Sequence, residues 1–581
     1  MRYLRMLSNS LVAGALATAY VVVLVLQLNP SLPLSAVRLM ALVTTIGLFY
    51  AVHLTVIFYI VLVVRQILAT EVFSPAWVSV GVLVWLGAAA SAAGAALIWG
   101  NLQTFTLVLE PAMTEEMATS ALVLLVASAL FVCVALVRAQ FGRRARASCA
   151  VLIVAIAAAS VAVPLTLRGR GGPRLLEARP IDMAATVGAA ERSARVTIVA
   201  IDGGSLQFIT SATTEGRLPN FGRILDAGAV MHLATLHPTS AEAVWTAVAT
   251  GKWPQKNGVR SASDYRLARG GGPIQLLPDY CFAHGLVRFG FLVEEPHTSA
   301  ALRTRTLWSI LSTLGIPVGV VGWPLTDPAP RVRGYLVSDT YHRVAFAPMG
   351  LEGSSAVYPP DAQADAAAAL EEVAAERADV LPASSLDARF ETPGRTDRGY
   401  ERIAQALARS RPAQVAVVRY QSLDAIGHYF LRYAMPAQFG DVTDEERRRF
   451  GSVLDRHYSM IDEAIGRAIA ALGPDDLLLV VSGYGMEPLG LGKRLLERLI
   501  GDPEVSGTHE TAPDGFLMAY GAPVARARLL PRASVVDVVP TVLYFLGLPI
   551  GRDMDGYARA DLFPRSFTDE RPITFIPTYD R

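Results

Sequence analysis

Five apolar runs near the amino terminus constrain this chain more than any other feature of its sequence. A helix needs about 20 residues to cross a bilayer, and each run approaches or exceeds that length. The runs occupy residues 10–28, 39–64, 77–99, 117–137 and 148–167. We therefore predict a membrane domain of about five transmembrane helices over residues 1–167. For the first run a cleaved signal peptide is the alternative, because the run follows the short basic start MRYLRMLSNS.

The charges of the loops predict how these helices are oriented. Basic residues lie before the first run, after the second, and between the fourth and fifth: Arg2, Arg5, Arg65, Arg138, Arg143, Arg144 and Arg146. The loop between the third and fourth runs carries Glu110, Glu115 and Glu116 and neither Lys nor Arg. Because basic loops stay in the cytoplasm, the sequence predicts a multi-pass protein with a cytoplasmic amino terminus. An odd number of spans then places the carboxyl-terminal domain outside, in the periplasm or the extracellular space.

The remainder of the chain has the pattern of an α/β domain. We predict a linker over 168–194 and an extracytoplasmic domain over 195–581, with an insertion at about 252–300. Continuous apolar segments such as VTIVAI, AQVAVV and DLLLVV alternate with helical segments, which is typical of a doubly wound, mostly parallel sheet. Cys281 is the one cysteine of this part, so the domain must be held together by its core and not by an internal disulfide.

One helix start is marked by its capping residues. In HPTSAEAVWTAVATG, Thr239 and Glu242 have the spacing of a capping box, which predicts a helix from there to Thr250 and Gly251.

Several segments, in this order, give the chain a family resemblance. They are VAIDGG, LPNFGRILDAGA, WTAVATGKWPQKNGV, LWSILSTLGIPVGVVGWP, SLDAIGHYF, GTHETAPDGFLMAYG and VVDVVPTVLYFLGLP followed by DMDG. Together they resemble the alkaline phosphatase superfamily, specifically its type I phosphodiesterase/nucleotide pyrophosphatase branch, over nearly all of 195–560. The resemblance implies an alkaline-phosphatase-like sheet domain after the membrane helices. It also implies two metal ions, usually zinc, that are bridged by the substrate phosphate.

Residue by residue, the resemblance implies one complete metal site and one degenerate one. Asp424, His428 and His509 match the first set of ligands. In the second set Asp202 matches, whereas the family's Asp-His pair falls on Gly483 and Tyr484. The family's nucleophile falls on Ala241, one residue after Ser240. We therefore expect a single divalent metal, with zinc as the preferred ion for two imidazoles and a carboxylate.

Four further residues are candidates for the site, each with a plainer alternative. Asp202 could help to bind metal or could cap the turn after its strand. Thr239 and Ser240 are candidate catalytic residues, and both are also suited to capping the next helix. Tyr484 could donate a hydrogen bond to a substrate oxyanion, or could simply pack.

These expectations lead to three hypotheses of function. The first is a membrane-anchored, metal-dependent phosphoric ester hydrolase or phosphotransferase that acts at the outer face on a phosphorylated lipid, glycan or nucleotide. The second is a catalytically inactive member (a pseudoenzyme) that binds a phosphorylated envelope component or acts as a scaffold. In the third, the spans form a transporter or channel. We expect the bilayer and a phosphorylated ligand as partners, and no nucleic acid polymer.

Overall fold

The computed structural model describes residues 2–32, 36–68, 77–141, 146–168, 194–268, 273–345, 355–375, 385–500, 502–510, 513–526 and 528–580. The chain divides into two compact units. One consists of Met1–Leu175 and Ser263–Pro296, and the other of Leu176–Ala262 and His297–Arg581. The predicted linker 168–194 lies outside the described residues except for its two end positions.

Long apolar helices form most of the first unit. They are α1 Arg2–Leu28, α2 Ala36–Leu68, α3 Val80–Phe105, α4 Pro111–Phe141 and α5 Arg146–Leu167. Among the described residues, these five helices are long and apolar enough to cross a membrane, which agrees with the five predicted transmembrane helices. The Tyr20 hydroxyl of α1 lies 2.9 Å from the Ser91 hydroxyl of α3 and 2.8 Å from the Ser160 hydroxyl of α5. Polar contacts of this kind hold apolar helices in one arrangement.

The remaining helices have at most 18 residues, except Ser385–Ser410, which has 26. They are Leu206–Thr214, Pro219–Ala227, Ala241–Thr250, Pro254–Asn257, His284–Arg288, Leu307–Thr313, Tyr341–Ala345, Gln363–Ala375, Ser385–Ser410, Ser422–Ala434, Pro436–Phe439, Asp444–Phe450, Val453–Ala470, Leu491–Ile500, Val538–Phe545 and Arg565–Glu570.

The strands are numbered in chain order. They are β1 Val196–Ile201, β2 Ala229–Ala234, β3 Ser263–Leu267, β4 Leu292–Pro296, β5 Val318–Trp323, β6 Gly334–Ser338, β7 Val357–Tyr358, β8 Val415–Tyr420, β9 Leu477–Tyr484, β10 Glu487–Pro488, β11 Gly507–Thr508, β12 Asp514–Tyr520, β13 Arg528–Leu529, β14 Ala533–Ser534, β15 Ile550–Gly551 and β16 Phe575–Ile576.

Part of the predicted insertion, near the middle of the chain, belongs to the first unit. Its strands β3 and β4 pair antiparallel, and the structure groups Ser263–Pro296 with the five long helices. Asn29, just after α1, donates to the Leu276 carbonyl at 2.7 Å and accepts from the Gln275 N–H at 2.7 Å. Asn101 of α3 accepts from the Asp279 N–H at 2.7 Å. The two amides thereby satisfy backbone groups of a segment that has no sheet partner there.

A large mixed sheet forms the centre of the second unit. In the described residues its strands pair in the order β13-β2-β12-β9-β1-β8-β5-β6-β7, and β14 also pairs with β2. The central strands β9, β1, β8, β5 and β6 are parallel, whereas β12 is antiparallel to both of its neighbours. The predicted doubly wound α/β fold is confirmed, with antiparallel pairing added toward the edges.

Helices cover both faces of this sheet, as the side chains of β1 show. Ile198 and Ala200 belong to the core on one face, which includes the helices Ala241–Thr250 and Val538–Phe545. Val199 and Ile201 belong to the core on the other face. Since both faces are buried, β1 is apolar apart from Thr197, and the charged residue Asp202 comes directly after the strand ends. The carboxyl ends of β1, β8 and β9 therefore meet at one edge, where open α/β sheets place their ligands.

Candidate metal centre and phosphoester cleft

One helix and a short strand bring three candidate metal ligands together at this edge. Asp424 and His428 lie four residues apart in the helix Ser422–Ala434, on one face of it. His509 directly follows β11. One ligand atom from each of the three lies within 4.8 Å of the others. The structure thus places all three residues of the first predicted set in one cluster.

Hydrogen bonds orient both imidazoles toward the carboxylate. His428 Nδ1 lies 3.0 Å from the Gly507 carbonyl, and His509 Nδ1 lies 3.1 Å from the Thr239 carbonyl. A carbonyl can only accept, so each Nδ1 carries a proton, and in the neutral imidazole the lone pair is then on Nε2. The Nε2 atoms lie 3.8 Å and 3.6 Å from the oxygens of Asp424. Metal-binding histidines are commonly held in this way.

An unpaired oxygen shows that the cluster suits a cation. Asp424 Oδ1 is buried and has no hydrogen-bond partner among the described residues. A buried carboxylate oxygen without a donor is costly unless a cation faces it. Two imidazole lone pairs and this oxygen are a donor set that fits zinc and leaves a fourth position open for a ligand.

The helix that carries these ligands is capped from elsewhere in the chain. Gln421, the residue before the helix Ser422–Ala434, provides no side-chain cap. Instead the buried carboxylate of Asp397 accepts from the Gln421 N–H at 3.0 Å and from the Ser422 N–H at 2.9 Å. Asp397 thereby fixes the start of the helix, and with it the first ligand, Asp424.

Asp202 is not part of this cluster but forms a buried ion pair. Arg419 of β8 donates through Nε to Asp202 Oδ1 at 2.9 Å, and its Nη2 contacts Asp202 Oδ2. Burial raises the pKa of Asp202 to about 6, and the adjacent guanidinium opposes that rise. Burial disfavours the charged form of Arg419, but Asp202 more than offsets this, and the pKa of Arg419 is raised. Both groups are therefore ionised near neutral pH.

The positions of the missing Asp-His pair are closed by packing. Strand β9 continues through Gly483 to Tyr484, and both are buried. A Cβ atom at Gly483 would lie 2.5 Å from Cγ1 of Val244, so no larger side chain fits without a shift. The Tyr484 ring packs beside His509 with their centroids 5.1 Å apart. Its hydroxyl is buried without a hydrogen-bond partner among the described residues, and burial raises its pKa well above the usual 10.

The two candidate hydroxyls differ in what they bind. Ser240 is the cap of the helix Ala241–Thr250, and its Oγ accepts from the Ala243 N–H at 3.4 Å and donates to Glu242 at 3.2 Å. The capping box predicted for Thr239 is therefore wrong, because the N-cap of this helix is Ser240, one residue later. Thr239 is buried and donates to the Leu236 carbonyl at 2.7 Å, because the backbone turns back there before the helix begins.

Comparison with protein families agrees with this geometry. The model of the type I phosphodiesterase/nucleotide pyrophosphatase family matches residues 196–541, more than half of the chain. The chain belongs to this family. The matched range begins with β1 and contains every cleft residue described above. Type I phosphodiesterases generally use divalent metals and act on phosphorylated small molecules. No curated protein matches the chain.

Sequence reasoning missed three residues that shape this candidate site. They are Arg419, Val244 and Asp397. Arg419 had a signal, because a charged residue near the end of the buried strand AQVAVVRY requires a partner. Val244 and Asp397 had none, since an apolar helix residue and an acidic residue in a polar helix are unremarkable in sequence.

Proposed function

We propose that this protein is a membrane-anchored phosphoric ester hydrolase or phosphotransferase that works with a single divalent ion, zinc by preference. Asp424, His428 and His509 would hold that ion. The observation that carries the proposal is that this cluster is hydrogen-bonded to the segment just before a helix. His509 bonds to the carbonyl of Thr239, two residues before the helix Ala241–Thr250 begins.

The metal ligands and the start of the helix Ala241–Thr250 would contribute differently to binding a phosphoester. When bound, a divalent ion polarises the phosphoryl group and offsets its negative charge. The first turn of the helix Ala241–Thr250 presents backbone N–H groups and the positive end of the helix dipole, which favour an anion. The two histidines are held before substrate arrives by the hydrogen bonds of their imidazoles to backbone carbonyls.

Ser240 is the candidate to attack or position the phosphoryl group. Ala241 has only a methyl group at the family's nucleophile position, and the Thr239 hydroxyl is committed to a backbone carbonyl. The Ser240 hydroxyl is half-buried at the helix start and donates to Glu242, whose carboxylate could accept its proton. The Tyr484 ring packs beside His509, its hydroxyl has no hydrogen-bond partner among the described residues, and it would donate to an oxyanion only if the ring shifted.

The substrate proposed is a phosphorylated lipid, glycan or nucleotide at the outer face of the membrane. The support comes from the family and from the five apolar helices that precede its domain. The basic loops of those helices support an outer location for the cleft.

A second candidate function, binding without turnover, is favoured by one specific observation. Ala241 removes the expected nucleophile, while the cluster for one ion remains. A protein with these features would still bind a phosphoester at the ion and the helix start.

The experiment is a turnover and binding assay on the full chain in detergent. Protein loaded with zinc or manganese is incubated with aryl phosphomonoesters and phosphodiesters, a phospholipid and a nucleotide, and released product is measured. Asp424→Ala and His509→Ala are compared with His232→Ala, a matched control in which the histidine is exposed on β2.

Turnover that disappears in Asp424→Ala and His509→Ala but persists in His232→Ala supports the hydrolase or transferase. Metal-dependent binding of the phosphoesters without product supports the binding protein instead. Turnover that is the same in all three variants contradicts the proposed site.

A further inference from the structure

We propose that Arg419 takes the place of the second metal ion of this family, so that the cleft holds one exchangeable cation and one fixed cation. The inference rests on the metal cluster of the proposed function but does not require turnover. The family resemblance implies two ions, and the residues at the second position do not fit one.

The first argument is that both carboxylate oxygens of Asp202 already accept hydrogen bonds from Arg419. Strands β1 and β8 are parallel neighbours with Ala200 opposite Arg419, so the arginine side chain starts one pair away from the end of β1. From there its Nε and Nη2 contact the two oxygens of Asp202. The third nitrogen, Nη1, donates to the Gly322 carbonyl at 3.3 Å. A metal ion could bind Asp202 only by displacing this guanidinium.

The second argument is burial. The side chains of Asp202 and Arg419 are 2% and 7% exposed. A carboxylate removed from water requires a compensating positive charge, and in the family's two-metal sites an ion provides it. Here an arginine provides it, and an arginine cannot lose its charge in a protein.

The third argument is space. A carboxylate at position 483 would need the volume that Val244 fills, and the Trp245 ring lies 4.0 Å from the same Cβ position. The neighbouring Tyr484 presents a buried phenol where the family has an imidazole. A divalent ion needs three or more protein ligands, and among the described residues this position offers Asp202 alone.

The replacement of the second metal ion by Arg419 also affects the first site. Gly203 turns the chain with φ +66°, and a Cβ there would lie 3.0 Å from Cα of Asp424, so the backbones of the two positions are in close contact. Without Arg419, the charge of Asp202 would add to that of Asp424. The guanidinium therefore keeps the net charge beside the ion suitable for an anionic phosphoester, whether or not metal is bound.

The test is metal content, measured by mass spectrometry on the full chain in detergent after equilibration with zinc. The wild-type protein should hold about one ion per chain. Asp202→Asn, which keeps an acceptor for Arg419, should leave both the ion content and the zinc affinity unchanged within about twofold. If Asp202 were a metal ligand, the same substitution would remove an ion or lower the zinc affinity by more than the roughly 10–100-fold loss typical of second-shell substitutions.

A rebuilt second site provides the converse test. The variant Val244→Ala/Gly483→Asp/Tyr484→His restores the ligands and the space but keeps Arg419, and it should still hold about one ion. Adding Arg419→Met should raise the content to about two. Adding Arg195→Met instead is the matched control, because Arg195 pairs with Asp476 at the opposite end of the sheet, and the content should remain about one.

The proposal is overturned by about two ions in the wild-type protein, by a second ion in the rebuilt variant that keeps Arg419, or by loss of the bound ion in Asp202→Asn. Asp202→Asn tests the proposal even if the multiple variants do not fold. Failure of the proposed function would appear separately, as absent turnover with a normal ion content.

Discussion

The two positions of the site differ in how the negative charge of an aspartate is compensated. At the first position Asp424, His428 and His509 are 21%, 30% and 19% exposed, and they direct two lone pairs and an unpaired oxygen at one point. At the second, Asp202 and Arg419 are nearly fully buried and satisfy each other. A site that binds a metal must keep its donors unsatisfied and reachable. A site that replaces a metal must satisfy them internally, and then no ion can enter.

The largest effect should come from breaking the internal pair. Arg419→Met leaves the Asp202 charge buried and uncompensated, which should cost about 3–5 kcal/mol of stability. Thermal unfolding of the full chain in detergent measures the loss. Arg195→Met, in which the arginine is largely exposed, should cost on the order of 1 kcal/mol. Equal losses in the two variants would mean that Asp202 does not depend on Arg419.

The next effect concerns the ligands of the first position. His428→Ala removes one of three donors, and the zinc affinity should fall by more than the roughly 10–100-fold loss typical of second-shell substitutions. Competition with a fluorescent zinc chelator measures the change. The exposed His232 again provides the control, and His232→Ala should retain the affinity of the unmodified chain.

A smaller effect should come from the packing that closes the second position. Gly483→Ala places a methyl group against Val244, and such overpacking costs about 1–3 kcal/mol. Val244→Ala removes the obstructing methyl groups, so the double variant should be more stable than the sum of the two single losses indicates. Strictly additive melting temperatures would show that the two positions do not touch.

The smallest effect should come from the cap of the helix Ser422–Ala434. Asp397→Ala removes an acceptor from the Gln421 and Ser422 N–H groups and should cost about 0.5–2 kcal/mol. Because this helix carries Asp424 and His428, the zinc affinity should fall as well. Asp397→Asn, which keeps one acceptor oxygen, should recover part of both losses. An unchanged affinity in Asp397→Ala would separate the cap from the metal site.

The sequence was sufficient where a pattern is local or repeats along the chain. The five apolar runs, the parallel strands and the family followed from length, periodicity and ordered motifs, and each is confirmed. The spacing of Asp424 and His428 placed both on one helical face. Their approach to His509 depended on the resemblance, because β11 lies far along the chain.

What the sequence left open depends on contacts between distant segments. Asp202 pairs with Arg419 because β1 and β8 are adjacent strands of the sheet, and the sequence does not specify which strands are adjacent. Closure of position 483 depends on one methyl group of Val244. The one-residue error at the helix cap arose because Thr239 and Ser240 are both good caps, and the turn at Leu236 decides between them.

The most direct test of the asymmetric cleft is anomalous diffraction at the zinc edge from crystals of the full chain grown with zinc. The account predicts one peak at this cleft, in contact with Asp424, His428 and His509, and the Arg419 side chain still on Asp202. A peak beside Asp202, or no peak among the three ligands, would contradict it.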